Sequence, residues 1–116
     1  MAKALNFNKL TKPYWTVTLP DEKETTIMVG TPKKEFMSLL LETEKTLKSI
    51  SDTANGDETG DAISSLYEVC AYAMSNNKGG IEITKEYLES YMDFTDIMVF
   101  FNAYMEFIKE VIASKN

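Results

Sequence analysis

The 116-residue chain contains no histidine and no arginine, a single cysteine and only three prolines. The missing histidine removes the side chain that most often serves as a general base near neutral pH and as a metal ligand. One cysteine, Cys70, cannot form an intrachain disulfide, which fits a reducing cytoplasm. Leu66, Tyr67, Ala73 and Met74 surround it at helical spacing, and neither a base nor a positive group is suggested nearby. It is expected to be a buried structural thiol rather than a nucleophile. Glycine is also sparse, and Gly79-Gly80 lacks the flanking strand, lysine and Ser/Thr of a phosphate-binding loop. Asp52, Asp57, Glu58 and Asp61 do not follow the ligand spacing of an EF-hand and read as a solvated stretch. No metal, no cofactor and no catalytic activity are expected.

Positive charge is scarce as well. Twelve lysines stand against eighteen acidic residues, giving a net charge of −6 and a pI near 4.6. Phosphate recognition needs clustered Lys and Arg, so nucleic acid and anionic membrane surfaces are not expected partners. The opening MAKALNFNKL has no long apolar run and no cleavage-site pattern, so no signal peptide is expected there.

What the chain does have is a concentration of apolar residues near its end. From Phe94 to Ile112, thirteen of nineteen residues are apolar or aromatic. Asp96, Glu106, Lys109 and Glu110 interrupt the stretch, and each would cost roughly 2.5–3.5 kcal/mol at mid-bilayer, so no membrane span is expected. At ~100° per residue the apolar positions form two adjacent stripes. One carries Ile97, Phe100, Tyr104, Phe107 and Val111; the other carries Phe94, Met98, Phe101, Met105, Ile108 and Ile112. The combined arc is wider than the ~100° needed to lie on a core. Two readings follow: both stripes are core, or the second stripe is left for a partner. Its methionines suit an adaptable contact, so Phe94, Met98, Phe101, Met105, Ile108 and Ile112 are the candidate partner-binding residues.

The rest of the chain supplies an α+β framework. Residues 14–19 and 25–29 alternate apolar and polar across the turn-forming Pro20–Glu24, which predicts a β-hairpin. Leu5-Asn6-Phe7 is a candidate edge strand that would make it a small antiparallel sheet. Thr31-Pro32 is a helix-start pattern, and Phe36, Leu39, Leu40, Leu47 and Ile50 predict a helix to about Ser51. Polar, acidic residues from about 51 to 60 predict a flexible loop. A second helix is predicted from about Asp61 to Ser75, with Ile63, Leu66, Tyr67, Cys70 and Met74 inward. Ile81-Glu82-Ile83 is a short strand or an extended lead-in, Thr84 caps a third helix, and Asp93 caps the last. The whole reads as one domain: a hairpin followed by about four helices.

Read in order, "LNFNKL", "KPYWTVTLPDEKET" and "IMVGTPKKEF", with the closing "KGGIEITKEYLESYMDFTDIMVFFNAYMEFI", resemble the tail assembly chaperones of siphophages and prophages of Gram-positive bacteria. The likeness covers nearly the whole chain apart from the acidic segment at 51–60. It implies a non-enzymatic α+β chaperone that self-associates, binds the tape-measure protein and helps recruit tail tube subunits. It further implies action in the cytoplasm of the bacterial host and absence from the mature virion. Other readings remain open: a head–tail connector component retained in the particle, or a small adaptor or inhibitor directed at a host protein. The hairpin, with Tyr14 and Trp15, is a possible second contact surface, although Trp15 is expected in the core.

Overall fold

The computed structural model describes residues 13–52 and 56–113, with side chains described for 13–48 and 60–113. Two strands and four helices follow one another in an α+β arrangement. The hairpin comprises β1 (Trp15–Thr18) and β2 (Thr26–Val29), paired antiparallel with Trp15 opposite Val29 and Thr18 opposite Thr26. Period-two alternation buries Ile27 and Val29 and leaves Thr26 and Met28 outside. The turn closes through the Leu19 N–H donating to the Thr25 carbonyl at 2.7 Å and the Glu24 N–H to the Asp21 carbonyl at 3.0 Å. Glu24 takes the left-handed conformation (φ 51°) that finishes such a turn. The predicted strand at Leu5–Phe7 lies outside the described residues.

Helix α1 (Lys34–Asp52) starts two residues later than Thr31-Pro32 suggested. The Lys33 carbonyl accepts its first bond, from the Met37 N–H at 2.9 Å. Thr31 is committed elsewhere: its carbonyl accepts from Asn76 Nδ2 at 3.1 Å, while the Gly30 N–H donates to the Asn76 carbonyl at 2.9 Å. These bonds tie the strand-to-helix link to the far end of α2 (Gly56–Ser75).

The segment read as a loop at 51–60 is largely helical, since α1 runs to Asp52 and α2 begins at Gly56; residues 53–55 lie outside the description. Asp57 and Glu58, which suggested a solvated loop, fall in the first turn of α2, where the helix dipole favours negative charge.

Helix α2 is the hub, packing against α1, β2, α3 (Lys85–Tyr91) and α4 (Phe94–Ala113). Its inward face buries Leu66, Val69, Cys70, Ala73 and Met74 completely or nearly so. Ile81–Ile83 is not a strand. Side chains take over the backbone pairing a strand would provide: Asn77 bonds both the N–H and the carbonyl of Ile81, and Ser75 Oγ does the same for Ile83, at 2.9 Å each way. Extended backbone is thereby satisfied without a ladder partner.

The two caps are as the sequence predicts. Thr84 Oγ1 accepts from the Tyr87 N–H at 3.0 Å. Asp93 and Asp96 bond each other's backbone N–H groups reciprocally at 2.9 and 3.1 Å, a capping box at the start of α4. Helix α4 is held by α2 on one side and by Trp15 on another. The indole stacks on Phe100, Tyr104 and Phe107 with ring centroids 5.5–6.2 Å apart, so Trp15, expected in the core, is half-buried and packs against its edge. Among the described residues, no helix is long and apolar enough to cross a membrane.

Candidate partner-binding surface

The six residues proposed on the last helix divide into two groups. Phe101 (2% exposed), Met105 and Ile108 are buried in the same core as Ile97, Phe100 and Tyr104 of the neighbouring stripe, and Met98 packs against it half-buried. Only Phe94 (44% exposed) and Ile112 (63%) remain open. They stand at opposite ends of the helix, eighteen positions or about 27 Å apart, and share no patch. The wide apolar arc therefore serves burial: α2 and the Trp15 stack meet it over more than one face. Neither stripe is free as a continuous contact surface, and the expectation that the second one is exposed is corrected here.

A continuous apolar opening lies elsewhere, between the outer faces of α1 and α2. It is a groove of about 460 Å³ lined by Glu35, Phe36, Leu39 and Thr43 from α1 and by Ser65, Glu68, Val69 and Tyr72 from α2. Phe36 and Val69 are buried, whereas Leu39 (43%) and Tyr72 (64%) stand open. The Tyr72 ring contacts that of Phe36, with centroids 4.5 Å apart, so an aromatic pair bridges the two helices. Thr43 turns its hydroxyl back onto the Leu39 carbonyl at 2.8 Å, leaving that wall without a demand for a polar partner.

Among the described residues, the two charged side chains that line the groove, Glu35 and Glu68, are both acidic. At ~100° per residue, Glu35 and Glu42 fall within roughly 60° of Leu39, while Lys34, Lys45 and Lys48 lie roughly 120° or more away. On α2, Asp61 and Glu68 fall within roughly 40° of Tyr72, and the helix contains no lysine at all. A cation stands beside Glu68: Lys85 of α3 donates to Ser64 Oγ at 2.6 Å and pairs with Glu68 at 3.6 Å. Ser64 lies roughly 80° round from Tyr72, away from the α1 side.

The sequence pattern counts Leu39 among the periodic apolar residues that predict α1 and does not single out Tyr72. A signal was present. Leu39 points roughly 80° from the mean direction of Phe36, Leu40 and Leu47, and Tyr72 follows Glu68 by one turn on the acidic face of its helix. A large apolar group among acids on a polar face is the pattern of an open contact.

Elsewhere the titratable groups are structural. Cys70 is fully buried, and burial pushes its thiol up to about 12, so it stays protonated and unreactive. Asp21 is held down at about 2, first by the Thr25 N–H (2.9 Å), then by the hydroxyls of Tyr87 and Thr25, both at 2.7 Å. That bond from Tyr87 fastens the hairpin turn to α3. A smaller opening of about 300 Å³ beside β2, lined by Met28, Lys78 and Ile81 among others, has its backbone edge occupied: the Lys78 N–H donates to the Met28 carbonyl at 2.9 Å. Among the described residues, no group of three or more metal-ligating side chains comes together.

Compared with known proteins, the chain matches no family model, no curated protein and no solved structure.

Proposed function

We propose that this protein is a non-enzymatic tail assembly chaperone that binds the tape-measure protein of a siphophage or prophage and helps recruit tail tube subunits. In this reading it self-associates, works in the cytoplasm of the bacterial host and is absent from the finished virion. The observation that carries the reading is the open apolar groove between α1 and α2, with Leu39 and Tyr72 exposed over a floor of Phe36 and Val69. Covering what remains exposed of Leu39 and Tyr72 favours association, and laying the apolar face of an amphipathic helix into such a groove is the mode that would do so. A long helical tape-measure protein offers such helices before tube subunits enclose it. The ordered sequence likeness supports a tape-measure protein as the partner, and the open groove supports binding of a helix.

Co-expression with the tape-measure protein of the same genome, followed by size-exclusion chromatography with light scattering, tests the reading. A co-eluting complex is the expected result. A chain that elutes alone at every concentration contradicts it.

A further inference from the structure

We infer that the α1–α2 groove recognises a short helix whose apolar anchors recur at i, i+4 and i+7 and whose flanks carry Lys or Arg. This rests on the reading of the groove as the partner surface and adds the chemistry that selects the partner.

Length sets the first half of the inference. From Glu35 to Thr43 the α1 wall rises about 12 Å, and from Ser65 to Tyr72 the α2 wall rises about 10 Å. About two turns of a guest helix fit along it, which is room for three anchors spaced i, i+4 and i+7. Leu39 and Tyr72 on the two walls are the host contacts, over Phe36 and Val69.

Charge sets the second half. Glu35 and Glu68 line the opening, Glu42 and Asp61 lie beside them on the same helix faces by helical angle, the lysines of α1 fall on other faces, and α2 has none. A guest with acidic flanks meets like charge on both lips, whereas lysine or arginine flanks meet opposite charge. The same field disfavours a second copy of this chain as the occupant of the groove, since its net charge is −6 and much of its most apolar helix, α4, is already buried; the self-association of the proposed function then uses another surface. Lys85, engaged by Ser64 and Glu68, does not reverse the sign.

The test uses the full chain and two fluorescent synthetic helices. Both carry leucines at i, i+4 and i+7; one has lysines at the flanking positions and the other glutamates. Anisotropy titration is expected to show the lysine peptide binding at least about tenfold more tightly, a difference that shrinks with salt. Leu39→Glu with Tyr72→Glu is expected to abolish binding of the lysine peptide although it makes the protein more acidic, which separates groove binding from bulk attraction. Both side chains are exposed, and circular dichroism checks that the variant is folded. Glu35→Gln with Glu42→Gln is expected to narrow the gap between the two peptides.

Equal affinity for both peptides overturns the charge rule. If a tape-measure fragment then still co-elutes with the wild type and not with the Leu39→Glu, Tyr72→Glu variant, the groove remains the partner surface and only the rule is lost. A lysine peptide bound equally by wild type and that variant overturns the groove itself. A dimer that the variant dissolves, with neither peptide binding, makes a second copy the occupant and overturns the inference.

Discussion

Helix α4 and the α1–α2 groove both carry more apolar side chains than their polar neighbours lead one to expect, and they use them in opposite ways. On α4 the surplus is enclosed: Phe101, Met105 and Ile108 join Ile97, Phe100 and Tyr104 in one core, with Trp15 stacked across the helix. In the groove a much smaller surplus stays open, because Leu39 and Tyr72 point away from the core directions of their helices. The density of apolar residues thus reports how much surface a helix can bury. Whether it is buried depends on what covers it: α4 has α2 on one side and Trp15 on another, while among the described residues nothing covers Leu39 and Tyr72 on the outer faces of α1 and α2.

Charges on α4 break this contrast most forcefully. Phe101→Asp with Met105→Asp puts two carboxylates into the core and is expected to cost more than about 5 kcal/mol, comparable to the whole stability of a small domain. Loss of a cooperative thermal transition is the readout. A folded variant with normal melting would show that this stripe is not core. The matching change in the groove, Leu39→Glu with Tyr72→Glu, is expected to cost about 1 kcal/mol, chiefly the lost Phe36–Tyr72 ring contact. A loss near that of the α4 variant would erase the contrast.

A subtler probe of the α4 core is Tyr104, fully buried with no hydrogen-bond partner for its hydroxyl among the described residues. Leaving a buried hydroxyl unpaired is costly, so Tyr104→Phe is expected to raise stability by about 1 kcal/mol, seen as a higher denaturant midpoint. A lower midpoint would mean that the hydroxyl is doing something useful.

The smallest effect belongs to the hairpin. Asp21 is depressed from 3.8 to about 2 in the folded protein, so its contribution is present above the ordinary value and is lost as pH falls toward 2. Tyr87→Phe removes one of the bonds responsible and is expected to lower stability slightly at neutral pH, seen as a small fall in the denaturant midpoint. The same variant should weaken the dependence of stability on pH across the acid window. An unchanged acid limb would show that the Tyr87 bond does not set the Asp21 pKa.

The sequence made the hairpin, the four helices and the Thr84 and Asp93 caps legible, because alternation, helical period and capping side chains are local signals. It misled at 51–60, where acids that suit a loop also suit a helix N-terminus, and at Thr31-Pro32, where Asn76, 45 residues away, takes the Thr31 carbonyl. The partner surface was hardest to read. An exposed stripe and a doubly covered one have the same pattern on α4, and what separates them is the position of Trp15 and α2, which no local window contains. Leu39 was legible as apolar but not as open, since the turn of α1 against α2 decides that.

Hydrogen exchange measured by mass spectrometry, on the free chain and with the lysine-flanked helix bound, tests the central claim most directly. The account predicts that amides of residues 97–108 are among the slowest in the free chain and unchanged by the peptide, while those at 35–43 and 65–72 slow on binding. Fast exchange at 97–108 in the free chain, slowed by the peptide, would contradict it and return the partner surface to α4.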